Sequence, residues 1–327
     1  MSTGANVQIH ASQFPEQIRR DLFRSLRTRR IDHKFHYDSV KQTQKWLALH
    51  QRFSPSRNNE NCRAIYENSF AAAAKWIKKQ RVHLIGLGCG GGQKDTLLLA
   101  ALKRRTKNIF YTPCDVATAM VLTARQAALP VLPESQIFPV VCDLQTATDL
   151  PFIFDARRNR GARRIITFFG MIPNFEPRHI FRKLTSLLGP TDILLFSANL
   201  APAEDYAAGV KRVLPQYENA LTRDWLMTFL TDLGISKNDG ALFFKIEAAP
   251  NNLKRIVSYF CFKRACKIQI GRASFAFAGG DNIRLFYSYR YTPDRIRAIL
   301  SSYKFQIHAE WLADSGEEGV FLCTTGS

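Results

Sequence analysis

The sequence predicts an α/β protein, a doubly wound parallel sheet interrupted by a second domain of α+β character. Three observations carry that prediction. Short apolar runs alternate with helical patterns between residues 82 and 200. A glycine-rich turn separates the first of those runs from its helix. From about 201 to 280 the rhythm changes, with two helical stretches followed by strand runs that have no helices between them.

The elements follow in order. Residues 14–31 place Ile18, Leu22, Phe23 and Leu26 at helical spacing. A second helix is expected from Ser39 to about Leu49, a break at SPSRNNEN, and a third helix from about Cys62 to Lys79. VHLIGLG is strand one, followed by the glycines and a helix from about Lys94 to Arg105. NIFYTPCD is strand two, ATAMVLTARQAAL its helix, and QIFPVVCD strand three. After a loop rich in Asp and Arg comes RRIITFFG as strand four. Helix 177–188 stops at Gly189–Pro190, where glycine accepts a left-handed conformation and proline cannot continue the helix. DILLFSANL is the fifth strand. The insertion carries helices at 203–213 and 220–233, then ALFFKIEAA, RIVSYFCFKR and CKIQIGRASFAF as an antiparallel sheet. Helix 293–302 and the strands FQIHAEWL and VFLCTT close the chain. The expected division is a core of 62–200 and 281–327, with a second domain of 1–61 and 201–280.

Composition narrows the partners. No apolar run among the 327 residues reaches the ~18 needed to span a bilayer. The N-terminal segment lacks the basic-then-apolar order of a secretory signal, so a cytoplasmic location without membrane attachment is expected. The seven cysteines form no C-x-x-C pair and read as free thiols in a reduced compartment, with no metal site. Cys89, Cys114 and Cys142 each stand beside a presumed cofactor-contacting residue and read as small side chains packed near a pocket. The formal charge of +19 points to nucleic acid as a possible partner. Its carriers, however, are spread over RRDLFRSLRTRR, KRRTK, RRNRGARR at 157–164 and KRACK, while the aromatics sit in apolar strand patterns.

The chemistry concentrates in LIGLGCGGGQKDTLLLAAL, with glycines at 86, 88, 90, 91 and 92 between strand and helix. Glycine there lets the backbone turn sharply and approach a ligand, and Gly88 and Gly90 are candidate contacts. The spacing also satisfies G-x-G-x-x-G, so a nicotinamide dinucleotide and S-adenosylmethionine both fit it. Asp115 closes strand two, where a carboxylate meets ribose hydroxyls, and Asp143 closes strand three, where it meets an adenine amine. Either aspartate also suits a helix cap. The final two strands read as a hairpin, the reversed last strand of class I methyltransferases, which favours S-adenosylmethionine.

The glycine segment resembles the first motif of the histidine Nα-methyltransferases of ergothioneine biosynthesis. Further blocks agree in order and spacing: FHYD near 37, SPSR at 54–57, YTPCDVA, VVCD, FFGMIPNFEP, GPTDILLFSANL and YSYRYTPDRI. The resemblance covers nearly the whole chain. It implies a Rossmann-like core with a substrate domain made of the N-terminal region and the insertion. It further implies cofactor contacts at Gly88, Lys94, Asp115 and Asp143, Leu144 beside the adenine, Asn174 positioning the amine, and Tyr37 in the substrate pocket.

The departures lie elsewhere. The acidic residue that anchors an imidazole in that family is Phe286 here, two before Ser288. A pocket tyrosine is Ser54, with Phe53 beside it as a substitute; the block after Tyr37–Asp38 reads VKQ; and the acidic residue opening the glycine motif is Gly86. The expectation is an S-adenosylmethionine-dependent N-methyltransferase of a small amine or amino-acid-derived substrate other than histidine. Asn174 and Tyr37 are its candidate catalytic residues. Ser288 supplies a further hydrogen bond, Phe286 and Tyr289 pack together against the substrate, and Glu247 is a candidate acidic partner from another strand. Competing readings are an RNA or protein methyltransferase using the basic surface, a non-catalytic S-adenosylmethionine-binding homologue, and a dehydrogenase. A monomer or weak dimer is expected.

Overall fold

The computed structural model describes residues 4–77, 80–155 and 161–326. In chain order, an edge strand Gln8–Ile9 (β1) is followed by helices Pro15–Thr28 (α1), Val40–Phe53 (α2), Pro55–Asn58 (α3) and Glu60–Lys75 (α4). Then come Val82–Leu87 (β2), Gln93–Lys103 (α5), Ile109–Asp115 (β3), Thr118–Ala128 (α6), Val140–Val141 (β4) and Leu150–Asp155 (α7). Arg163–Phe168 (β5), Pro177–Leu187 (α8) and Ile193–Asn199 (β6) complete the first run. Tyr206–Val213 (α9), Ala220–Asp232 (α10), Gly240–Ala249 (β7), Leu253–Phe262 (β8), Cys266–Ile270 (β9), Ala273–Phe277 (β10) and Asn282–Arg290 (β11) follow. Pro293–Ser302 (α11), Phe305–Leu312 (β12) and Glu318–Thr325 (β13) end the chain.

Two compact units divide these elements: 1–14, 55–200 and 291–327 in one, 15–54 and 201–290 in the other. The first unit holds an eight-stranded sheet in the order β1-β4-β3-β2-β5-β6-β13-β12. Strands β1 to β6 run parallel, whereas β13 lies antiparallel to both β6 and β12. This is the class I methyltransferase architecture, with its reversed last strand. Strand β2 is buried along its whole length, because helices cover both faces of a central parallel strand. Leu98, Leu99 and Leu102 of α5 and Ile65 and Phe70 of α4 pack against the core strands.

Several elements differ from the sequence reading. Strand three shrinks to Val140–Val141, since Ile137 ends a tight turn and Pro139 has no N–H to continue the ladder. The loop after Asp143 contains α7, and α2 runs on to Phe53. Ser39 caps α2 in a reciprocal capping box with Gln42. Helix α4 ends at Lys75, while Lys78 and Lys79 lie outside the described residues, as do residues 157–160 of the basic run.

In the second unit β7, β8 and β11 form an antiparallel sheet, and β9–β10 a separate hairpin. Residues 282–290, placed with the core by the sequence reading, pair with β8 instead. The N-terminal helices join this unit through the backbone, Ile31 N–H donating to the Arg284 carbonyl at 2.8 Å. Among the described residues, no helix is long and apolar enough to cross a membrane.

Candidate active site

Three residues in the left-handed region shape the turn after β2: Gly88 at φ +64°, Gly90 at +52° and Gly92 at +73°. A side chain is strained there; at Gly88 it would also displace Met171, and at Gly92 the neighbouring backbone leaves no room for it. A Cβ on Gly88 would lie 2.6 Å from the Met171 side chain, and one on Gly92 2.7 Å from the Ala124 Cα of α6. The Cys89 N–H donates to the Cys114 carbonyl at 3.0 Å, tying the turn to the end of β3.

Asp115 ends β3 and reaches across to that turn. Its Oδ2 accepts from the Gly90 N–H at 3.0 Å and its Oδ1 from the Ala117 N–H at 3.1 Å. Burial pushes its pKa up, and the backbone donors oppose that shift. Asp143, just past β4, caps its own turn: Oδ1 accepts from the Gln145 N–H at 2.8 Å, and Oδ2 from the Thr146 hydroxyl at 2.9 Å. Both aspartates therefore act as caps, and the Asp115 carboxylate, with about four lone-pair sites, keeps acceptor capacity for a ligand. Buried Leu144 follows in the same turn.

Past β5, Gly170 (φ +68°) donates its N–H to the Ser197 hydroxyl at 2.9 Å. The tight turn Ile172–Asn174 comes next. Half-buried Asn174 makes no side-chain hydrogen bond among the described residues, so its amide is available. Glycine turn, Asp115, Asp143 and Asn174 thus all follow the carboxyl ends of adjacent parallel strands, where open α/β sheets bind ligands. Lys94 projects from the first turn of α5, its ammonium 3.9 Å from the Tyr66 ring centroid and 5.7 Å from that of Phe169. Tyr66 in turn donates to the Glu318 carboxylate. Burial lowers the Lys94 pKa, and Glu318 opposes that shift.

The second unit gathers the substrate-side candidates unevenly. The Phe286 ring, 8 % exposed, is surrounded by His33 at 4.9 Å, Trp225 at 5.7 Å and Tyr217 at 6.3 Å. Ser288, on the same strand face, bonds the Tyr217 hydroxyl at 2.9 Å, and that hydroxyl accepts from Arg290 at 2.8 Å. Tyr37 packs against Trp225 and Trp46 at 5.5 and 5.9 Å.

The strand register corrects the expectation that Phe286 and Tyr289 pack together. Three positions apart on β11, they point to opposite faces of the sheet. Tyr289 lies on the face of Arg255 and Glu247, and Glu247 is already engaged by Tyr259 at 2.8 Å, Lys245 at 3.1 Å and Arg255 at 3.3 Å. Phe53 stands apart at the end of α2, 47 % exposed.

Sequence reasoning missed five contributors. Ser12 accepts the Asp143 N–H at 2.9 Å, and Lys183 donates to the carbonyls of Leu144, Gln145 and Ala147 at 2.7, 2.8 and 2.7 Å. Both fix the 143–147 turn from distant segments, with no local signal. His33 and His36 are buried beside the Phe286 cluster; FHYD was read only for its tyrosine. Burial holds His33 well below the usual imidazole value and lowers His36 to about 4. The fifth is Asp95 of α5, whose buried carboxylate accepts from the Thr167 and Tyr111 hydroxyls. All seven cysteines are free; Cys114 and Cys142 are fully buried neighbours, and no group that could hold a metal occurs among the described residues.

Solved structures with similar folds include the CcbJ methyltransferase of Streptomyces caelestis, at 10 % identity and a TM-score of 0.41, over 80 % of this chain and 89 % of that one. Another is the 1,6-didemethyltoxoflavin-N1-methyltransferase of Burkholderia thailandensis, at 10 % and 0.41, over 87 % and 91 %. No curated protein matches the sequence. The model of a family described as histidine-specific, S-adenosylmethionine-dependent methyltransferases matches residues 18–325. With nearly the whole chain matched, the protein belongs to that family: it is a methyltransferase, and S-adenosylmethionine is its cofactor.

Proposed function

We propose that this enzyme methylates the nitrogen of a small amine or amino-acid-derived substrate other than histidine. The carrying observation is Phe286. Where the family resemblance calls for an imidazole-anchoring carboxylate, the structure has a phenyl ring walled by His33, Trp225 and Tyr217. A ring N–H set against that surface loses its hydrogen-bond partner, whereas an apolar or aromatic group gains contact.

The residues present fit the cofactor. Left-handed glycines keep the turn nearly free of side chains, Asp115 is an oriented carboxylate with acceptor sites to spare, and Asp143 is held in place by its own turn. Gly88, Gly90, Lys94, Asp115, Asp143 and Leu144 are the groups assigned to hold it. When bound, S-adenosylmethionine supplies a methyl group activated by its sulfonium. The protein's part is orientation. The Asn174 side-chain oxygen accepts from the amine N–H and fixes the direction of the nitrogen lone pair. Tyr37 and Ser288 add hydrogen bonds on the substrate side, and the amine reacts in its neutral form, its proton passing to water.

Labelled S-adenosylmethionine and a panel of amines, amino acids and RNA test this reading. Transfer to amines bearing apolar or aromatic groups is expected, with histidine at least about a hundredfold poorer in kcat/KM. Histidine as the best substrate, or label in RNA alone, sinks the proposal. Asn174→Ala should lower kcat while leaving cofactor affinity unchanged.

A further inference from the structure

Gly86 is unlike the glycines that follow it. Its φ lies outside the left-handed region, so the backbone there suits any residue. Space is what excludes a side chain: a Cβ on Gly86 would collide with Asp95 Oδ2 and lie 3.0 Å from its Cγ. The Asp95 carboxylate thus fills the volume that a side chain at 86 would take.

Asp95 sits in the first turn of α5, three residues after the N-cap Gly92. Its Oδ1 accepts from the Thr167 hydroxyl on β5 at 2.7 Å, and its Oδ2 from the Tyr111 hydroxyl on β3 at 2.8 Å. One buried carboxylate therefore joins β3, β5 and the start of α5 directly against Gly86 of β2. Burial pushes its pKa up to about 6, against the two hydroxyl donors and Lys94. An ionised carboxylate here is costly to the fold at neutral pH, as is common for groups placed for function.

We propose that Asp95 is a positioning residue for the cofactor, supplying from α5 the carboxylate that the glycine motif lacks at residue 86 and holding the 88–92 turn in its binding geometry.

Calorimetric titration of the full chain with S-adenosylhomocysteine, alongside thermal melts, tests this without any methyl transfer, so its outcome is separate from that of the substrate reading. Asp95→Asn is expected to weaken binding about tenfold without lowering the melting temperature, because one hydroxyl keeps an acceptor oxygen and the other turns to accept from the amide N–H, while the charge is lost. Asp95→Ala should weaken it further. Adding Gly86→Asp to Asp95→Ala should restore affinity to within about threefold of wild type, by returning a carboxylate to the same volume from the strand. Asp95→Asn binding within about twofold of wild type overturns the proposal. So does a double variant no tighter than Asp95→Ala. If Asp95→Ala does not fold, the Asp95→Asn titration decides.

Discussion

The cofactor side of the first unit and the Phe286 cluster of the second are built on different principles. The first is made mainly of backbone: left-handed glycines, N–H groups bound by Asp115, and carbonyls gathered by Lys183. The second is made of rings from separate segments, His33 and Tyr37 from near the start of the chain, Tyr217 and Trp225 from the middle, and Phe286 from β11. A backbone-built site tolerates little change, since almost any side chain obstructs it. A ring-built site can change its ligand by exchanging one residue. On the proposed assignment, that difference accounts for a cofactor motif changed only at Gly86 beside a more extensively altered substrate signature.

The contrast breaks first at Gly92. Gly92→Val combines left-handed strain with a collision against the Ala124 backbone, which cannot rotate away. Chemical denaturation should show a loss of about 4 kcal/mol, together with abolished cofactor binding. A milder result would mean that the turn is more adaptable than its geometry indicates.

Acid sharpens the contrast, because the two regions respond with opposite sign. His36 is held at about 4 by burial, so the unfolded chain takes up its proton first as pH falls from 6.5. Stability carried by neutral His36 is lost progressively over that window, by up to about 3 kcal/mol. Asp95, raised to about 6, works the other way: below pH 6 the native state binds the proton more tightly and gains stability until about 3.8. Buried His33 loses stability over the same window as His36, so urea titrations at pH 7 and pH 5 should show net loss in the wild type, and a smaller loss in His36→Phe.

Asp115→Ala leaves the Gly90 and Ala117 N–H groups without their acceptor. Cofactor affinity should fall by about 2 kcal/mol, some thirtyfold, as read by calorimetry. The smallest change is the most informative about the substrate. Phe286→Glu should raise kcat/KM for histidine about tenfold while leaving cofactor affinity unchanged. If cofactor binding shifts with it, the two regions are not separable in the way proposed.

Much of the core was legible because its signals are local. Alternating strands and helices, the end of α8 ahead of Gly189–Pro190 and a terminal hairpin each declare themselves locally, although α8 ends on extended Leu188 and Gly189 does not take the left-handed conformation expected of it. The place of 282–290 was not legible: YSYRYTP reads as a strand, but nothing within it says that its partner is β8. Tyr289 shows the same limit: it stands close to Phe286 along the chain, whereas a strand sorts its residues by parity and turns the two to opposite faces. Ser12, Lys183 and Asp95 act on segments 16 to 131 positions away, and their own neighbourhoods read as ordinary helix or loop.

Strand β1 has a bearing on how the protein can be handled. Two residues of parallel ladder cover the outer side of β4, and Ser12 just beyond them steadies the Asp143 turn. The segment precedes residue 18, where the family match begins, so trimming the chain to that match would appear harmless. It would instead uncover an open sheet margin, the usual starting point for self-association between chains, beside the turn assigned to adenine recognition. Loss of solubility and loss of cofactor affinity would then appear together.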